Sequence, residues 1–298
     1  MRYPTVKQLR YFVALEESQH FGQAAETCHV SQSAFSNAIQ ELESLLEVQL
    51  VDRTNRQVTI TAIGKEIAVH ARLCLQDIEA LVEVAGGQRE PLTGDLNLGV
   101  IPTVAPFLLP TLLPKLRKAF PKLRLFLTED KTPELHDQMM AGKLDVLLLA
   151  LPYDLRGVEN LPLFQDRFLL AYRDGTQRVD PSNHKLNREE MESVILMQDG
   201  HCLRDHAIDA CNLRSGYRVS RYSATSLLTL VEMVDADLGI TFLPSMAEKS
   251  NLLRNTRVKT LPMGAKSFRT IGIAWRKGSN RAEEFKLLGG FIKQNAGI

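Results

Sequence analysis

Cysteine is scarce in this chain, and what there is lies scattered. Four cysteines in 298 residues, Cys28, Cys74, Cys202 and Cys211, cannot build the disulfide framework on which small secreted folds depend. No C-x-x-C pair occurs and no spacing of cysteine and histidine argues for zinc, so no metal site is expected. There is no apolar run of about 18 residues. The N-terminus lacks a charged and then apolar leader. These absences argue against a membrane span or export and make the cytoplasm the expected compartment, where disulfides tend to be transient and functional. Neither G-x-x-x-x-G-K-[ST] nor G-x-G-x-x-G is present, which leaves a nucleotide cofactor without support; no cofactor is expected. Charge of one sign is missing too. The 36 Lys and Arg nearly cancel the 35 Asp and Glu, and the net charge of +1 points to no partner.

What is present fits a soluble globular protein: 44% hydrophobic and 24% charged residues. The length suggests two or three domains. One segment stands out, Gly200-His201-Cys202-Leu203-Arg204-Asp205-His206, with Cys211 soon after. Asp199-Gly200-His201 reads as a helix start, which puts Cys202 in the first turn, where the macrodipole favours an anion. A neighbouring histidine and arginine are expected to lower its pKa and make it reactive. If one helix carries both cysteines, they stand roughly 13 Å apart along its axis. A disulfide needs Cα atoms within about 7 Å. Helix and bond exclude each other, which outlines a redox switch. The same pair also fits two small buried side chains.

The first sixty-odd residues read as short helices and a hairpin. Leu9, Phe12, Val13 and Leu15 form the stripe of a first helix, and Phe21 to Cys28 a second. Ser31 suits the N-cap of a third, whose apolar side is Phe35, Ile39, Leu42 and Leu46. Its polar side carries Gln32, Ser33, Ser36, Asn37 and Gln40, side chains able to bond base edges or phosphates. Arg53 and Arg56 sit at the tip of a β wing in which Val58 and Ile60 alternate with polar residues. This order describes a winged helix-turn-helix, with Ser31 to Leu45 as the helix for the major groove. Residues 1–66 hold six basic against eight acidic side chains, so binding must rest on charge placement and on more than one subunit.

Ile67, Ala71, Cys74, Ile78, Leu81 and Ala85 make a heptad-like seam on one long helix, which predicts a dimer. Cys74 on that seam, and Cys28 in the short helix, read as packing residues. Gly86 to Gly94 is a polar hinge. Beyond it strands and helices alternate, implying parallel sheets covered by helices. The domains are expected at 1–62 (DNA-binding), 63–87 (dimerising helix), 88–94 (hinge) and 95–298 (regulatory). The last divides into subdomain I, 95–164 with 269–298, and subdomain II, 165–268. Thr103, just after the first strand, lies where open α/β folds bind ligands.

Together these residues resemble the LysR-type transcriptional regulators over essentially the whole chain. The N-terminal likeness runs through Leu9-Arg10-Tyr11-Phe12-Val13-Ala14-Leu15, Phe21-Gly22-Gln23-Ala24-Ala25, Val30-Ser31-Gln32-Ser33-Ala34, Ile39-Gln40-Glu41-Leu42-Glu43 and Thr61-Ala62-Ile63-Gly64. Within that family the chain is similar to the peroxide-sensing OxyR branch, through Gly99-Val100-Ile101-Pro102-Thr103, the His201–Cys202 pair with Cys211, Ala224-Thr225-Ser226, Gly239-Ile240-Thr241 and Arg269-Thr270-Ile271-Gly272. The resemblance implies a mixed fold: the winged motif, the linker helix, and a periplasmic-binding-protein-like region of two α/β subdomains. It implies a peroxidatic Cys202, a resolving Cys211 and a reversible disulfide between them. Thr103, Thr132 and His201 would shape a hydrogen peroxide pocket, with Arg204, Asp205, Thr225, Thr241 and Arg269 supporting it. It also implies a homotetrameric activator on an operator of double-stranded DNA, RNA polymerase as partner, and cellular thiol reductants that reset the switch.

The chemistry of the residues agrees. Peroxide is small and uncharged, and threonine hydroxyls and histidine can bond both its oxygens. A thiolate oxidised to sulfenic acid can condense with a second thiol. Two other functions fit parts of the chain. One is a regulator of the same family that binds a small organic effector. The other is a thiol peroxidase, against which the winged motif and linker helix argue. The chain is therefore expected not to be an enzyme.

Overall fold

The structure is a computed structural model and describes residues 3–54, 57–85, 90–154, 156–180, 185–186, 194–210 and 219–297. Helix α1 (Val6–Ser18) begins at a reciprocal cap. Gln8 N donates to Thr5 Oγ1 at 3.2 Å, and Thr5 N donates to the Gln8 side chain at 2.9 Å. Helix α2 (Phe21–Thr27) starts at His20, whose Nδ1 accepts from Gln23 N at 3.2 Å. Helix α3 (Gln32–Leu46) starts at Ser31, whose hydroxyl accepts from Ala34 N at 3.3 Å. The hairpin β1 (Val51–Thr54) and β2 (Gln57–Ile60) follows, with Val51 opposite Ile60. Glu43 of α3 accepts from the Leu50 and Val51 amides at 2.8 and 3.1 Å, fixing where the hairpin leaves the helix.

Phe12, Leu15, Phe35, Ile39 and Leu42 are fully buried in this core. Leu9 and Val13, assigned to the same stripe from sequence, are only half-buried. Tyr11 takes an inner position instead and stacks on Phe35 with ring centroids 5.0 Å apart. Its ring buries like phenylalanine, a property that a count of aliphatic spacing overlooks.

Helix α4 (Ala62–Ala85) packs on α1 through Ala68 and Ala71. The buried Arg72 guanidinium forms an ion pair with Glu16 of α1. On the seam read from sequence, Ile67 and Ile78 are half-buried, while Cys74 and Leu81 are exposed. Cys74 is therefore not a packing residue within its own chain. These elements belong to one unit, Met1–Glu90 with Met140–Lys143.

The second unit, Pro91–Met139 with Leu144–Ile298, holds the rest. Its elements are β3 (Gly94–Val100), α5 (Ala105–Ala119), β4 (Leu123–Glu129), α6 (Thr132–Met140), β5 (Val146–Leu151), β6 (Val158–Arg173), β7 (Val179–Asp180), β8 (Lys185–Leu186) and β9 (Val194–Met197). They continue with α7 (Cys202–Ala210), β10 (Val219–Ala224), α8 (Leu227–Asp235), β11 (Thr241–Pro244), α9 (Ser245–Glu248), β12 (Val258–Pro262), β13 (Phe268–Arg276) and α10 (Ala282–Asn295). One lobe carries the strand order β4-β3-β5-β13-β6. The fully apolar β5 is buried along its whole length at the centre of that sheet. Beyond Arg167, β6 leaves β13 and pairs with β11 and β12 in the other lobe. There β9 and β10 run side by side, and Ile195 N donates to Ile240 O at 2.8 Å.

The alternation of strands and helices implied parallel sheets. Among the described strands, β3 with β4 and β5, and β9 with β10, are parallel. Strands β6, β11, β12 and β13 pair antiparallel, and β6 joins both lobes as one long strand rather than through a βαβ crossover. Among the described residues no helix is long and apolar enough to cross a membrane.

Candidate functional site

The C-terminal ends of β3 and β4 and the start of α7 converge on one pocket, as the rule for open α/β folds leads one to expect. It is lined by Ile101, Pro102, Thr103, Lys131, Thr132, Gly200, His201 and Cys202. Thr103 lies in the turn between β3 and α5, and Thr132 is the first residue of α6. Cys202 is the first residue of α7. The turn before it depends on Gly200, whose φ of 88° lies in the left-handed region that favours glycine. A Cβ at Gly200 would also meet the Lys131 side chain at 3.4 Å.

Thr103, Thr132, His201 and Cys202 are all buried. Beneath them lies Arg269, near the start of β13 and 1% exposed. Its guanidinium donates to Thr103 Oγ1 at 2.8 Å, to Thr103 O at 2.9 Å, and through Nε to Asp166 Oδ2 at 3.0 Å. Asp166 is its cross-strand neighbour on β6. The other oxygen of Asp166 accepts from Ser245 Oγ at 2.9 Å and Met246 N at 3.2 Å. The buried pair is thus hydrogen-bonded on both sides, the condition under which such a pair persists. Since the Thr103 oxygen accepts from Arg269, its proton is left to donate into the pocket. His201 Nε2 is buried with no hydrogen-bond partner among the described residues, and the buried Thr132 hydroxyl has the Cys202 thiol as its neighbour.

The electrostatics overturn one expectation. Cys202 was expected to titrate low; its pKa is raised. Burial is the largest cause, and it outweighs the lowering by Arg269, by the Thr132 side chain and by the Ala150 backbone. The adjacent residues do not supply the expected charge. Burial, and then Lys131, hold His201 below its ordinary value and favour its neutral form, against Glu134, which raises it. Arg204 turns away from the thiol, pairing with Asp199 at 2.9 Å and donating to Met197 O at 3.3 Å.

Of the residues named from sequence, the structure brings Thr103, Thr132, His201 and Cys202 to the pocket and Arg269 directly behind it. Arg204 instead secures the turn before α7. Asp205 and Thr225 are exposed and do not line the pocket. Thr241 is buried elsewhere, its hydroxyl donating to Ile195 O at 2.7 Å across β9 and β11. Cys211 and Arg56 lie outside the described residues, as does the side chain of Arg53. Lys131 and Asp166 were not anticipated. Lys131 directly precedes Thr132, which offered a local signal; Asp166 offered none, since its partner lies 103 positions away.

In the first unit, Ser31, Gln32, Ser33, Asn37 and Gln40 are exposed along α3 and Ser36 is half-buried, opposite the buried Phe35, Ile39 and Leu42. They form one polar face of hydrogen-bonding side chains on the second helix of the motif.

Two family models match the chain: the bacterial regulatory helix-turn-helix protein of the lysR family over residues 6–65, and the LysR substrate binding domain over residues 89–297. The chain is 36% identical to the HTH-type transcriptional regulator EstR of Acinetobacter baylyi, covering 98% of this chain and 97% of that protein. It is 37% identical to the DNA-binding transcriptional dual regulator OxyR of Escherichia coli, covering 97% and 94%. Among solved structures, a full-length OxyR mutant from Pseudomonas aeruginosa matches with a TM-score of 0.81 at 31% identity, covering 98% of both chains. A hydrogen peroxide-bound OxyR mutant of Corynebacterium glutamicum matches with a TM-score of 0.64 at 32% identity, covering 99% of this chain and 95% of that one.

Proposed function

The chain belongs to the LysR family of transcriptional regulators, and from that premise we propose that it senses hydrogen peroxide through Cys202 and controls oxidative-stress defence genes. Its family makes it a regulator of transcription and not an enzyme. The observation that carries the peroxide reading is a buried thiol at a helix start, facing the Thr132 hydroxyl and the unpartnered His201 Nε2 in a pocket backed by Arg269. Family membership alone would equally suit an organic effector, since EstR is as similar as OxyR. A pocket of hydroxyls around a thiol favours peroxide.

Thr103, Thr132 and His201 hold the two peroxide oxygens. The Cys202 thiolate attacks one of them and the O–O bond breaks. Sulfur loses two electrons and becomes a sulfenic acid, while the other oxygen leaves as hydroxide and takes up a proton to form water. The Cys211 thiol then displaces water from the sulfenic sulfur and an S–S bond forms. Helix α7 cannot stand while this happens. Cys202 and Ala210 are its two ends, roughly 12 Å apart along the axis. A disulfide allows roughly 7 Å between Cα atoms, so a helix of that span must open for the bond to close. Opening α7 repacks its lobe, a two-state change driven by covalent chemistry. Cellular thiol reductants reverse it.

On DNA, the polar face of α3 enters the major groove, and Arg53 and Arg56 of the wing contact phosphate. The seam of α4 pairs two chains, two such pairs make a tetramer, and the assembly engages RNA polymerase. The regulatory domain divides into subdomain I, 95–164 with 269–298, and subdomain II, 165–268, a reading supported by the parting of β6 from β13 after Arg167.

Promoter activation and mass spectrometry in a Cys202→Ser variant test the reading. Activation by peroxide should vanish, and Cys211→Ser should stop at the sulfenic acid with a slower response. Intact activation in Cys202→Ser would refute the peroxide mechanism and favour a bound effector.

A further inference from the structure

Four residues after Cys202, on the same face of α7, stands His206. Its Nε2–H donates to the backbone carbonyl of Pro152 at 3.0 Å. Pro152 directly follows β5, and Ala150 of that strand places its backbone at the Cys202 thiol. Helix α7 is thus held to the end of β5 at two points one turn apart. The first, at Cys202, changes when sulfur is oxidised. The second does not. The other ring nitrogen of His206, Nδ1, is buried and has no partner among the described residues. Burial, the largest cause, lowers the pKa of His206, with Arg269 adding to it and the Pro152 carbonyl, Asp205 and Asp209 opposing. The neutral ring therefore carries its single proton on Nε2.

We propose that His206 is a clasp that sets how fast α7 opens once Cys202 is oxidised, by holding the helix to the Pro152 carbonyl until the disulfide forms. The inference rests on the switch described above. His206 sits midway between Cys202 and Cys211 in sequence. Closing the gap between those two ends pushes the middle of the segment away from β5, and the clasp must break first. His206 touches neither peroxide nor sulfur in this scheme. It is a positioning residue acting on the second step alone.

The test separates the two steps in the full-length reduced protein. After one equivalent of peroxide, samples are quenched, the sulfenic acid trapped, and disulfide counted by mass spectrometry over time. In His206→Ala, sulfenic acid should form at the unaltered rate, while the disulfide should close about fivefold faster, the factor a net hydrogen bond is worth. His206→Gln, whose amide still donates, should restore the slower closure. Alanine is the best helix former, so propensity does not weaken α7 in the first variant. Equal closure rates in His206→Ala and the parent protein would overturn the proposal, as would a slowing of both steps together. Hydrogen exchange in the reduced protein gives an independent reading: α7 amides should exchange about fivefold faster in His206→Ala with β3 unchanged, and unchanged α7 exchange would overturn the clasp. Should the parent protein form no Cys202–Cys211 bond, the switch itself falls, and the exchange measurement still decides the clasp.

Discussion

Cys202 keeps its proton longer in the folded chain than in the unfolded one, because burial penalises the thiolate by more than Arg269, Thr132 and the Ala150 backbone favour it. The sign of the linkage follows. A pKa raised by folding means that the folded state binds the proton more tightly. That contribution to stability is complete below the unfolded value and fades as pH rises through the folded one. Denaturation of the reduced protein should accordingly show stability falling on the alkaline side, and Cys202→Ser should flatten that slope. Peroxide oxidation should quicken over the same range as thiolate appears. A rate already saturated below the ordinary thiol range would contradict this. The chemistry of the residue, a nucleophile at a helix start, was legible from Gly200-His201-Cys202. Its charge state was not. Burial is set by the packing of distant parts of the fold, which no local window of sequence contains, and burial decides the direction.

Elements repeat the lesson at a larger scale. Helix α3 could be read almost whole, because Ser31, its apolar stripe and its polar face lie within one short window. The seam on α4 was legible as a pattern, but a pattern does not say which chain satisfies it. Within one chain Leu81 is 67% exposed, while Ala68 and Ala71 face α1. An apolar position left exposed on a regular seam is where the proposed second helix would pack. Placing Asp at Ile78 would put a charge into that contact and should dissociate the assembly. Sedimentation that shows the same species with and without the substitution would remove α4 from the interface. The mixed direction of the sheets was hidden for a different reason. Strand identity is a local property, whereas β6 and β13 pair over about a hundred intervening residues.

The whole molecule is two units, and their stabilities need not be coupled. Asp166 and Arg269 test this, because both lie deep in the second unit. Asp166→Asn preserves shape and leaves the Arg269 charge buried without compensation, a loss of about 3–5 kcal/mol. Calorimetry should show the transition of the second unit falling sharply while that of the DNA-binding unit stays in place. A single transition that moves as a block would mean that the two units unfold together.

The place of that pair in the fold has a mechanical consequence. Arg269 and Asp166 face each other one residue before β6 parts from β13 and crosses to the other lobe. Strand β6, which runs through both lobes, lies where an axle would, and Arg269, which backs the pocket, is paired to it. A displacement of fixed size turns a body through a larger angle the nearer to the pivot it is applied. Under the proposed switch, oxidation at Cys202 would act through a short lever arm, and the change from thiol to disulfide would be geared up to a rotation of one lobe upon the other.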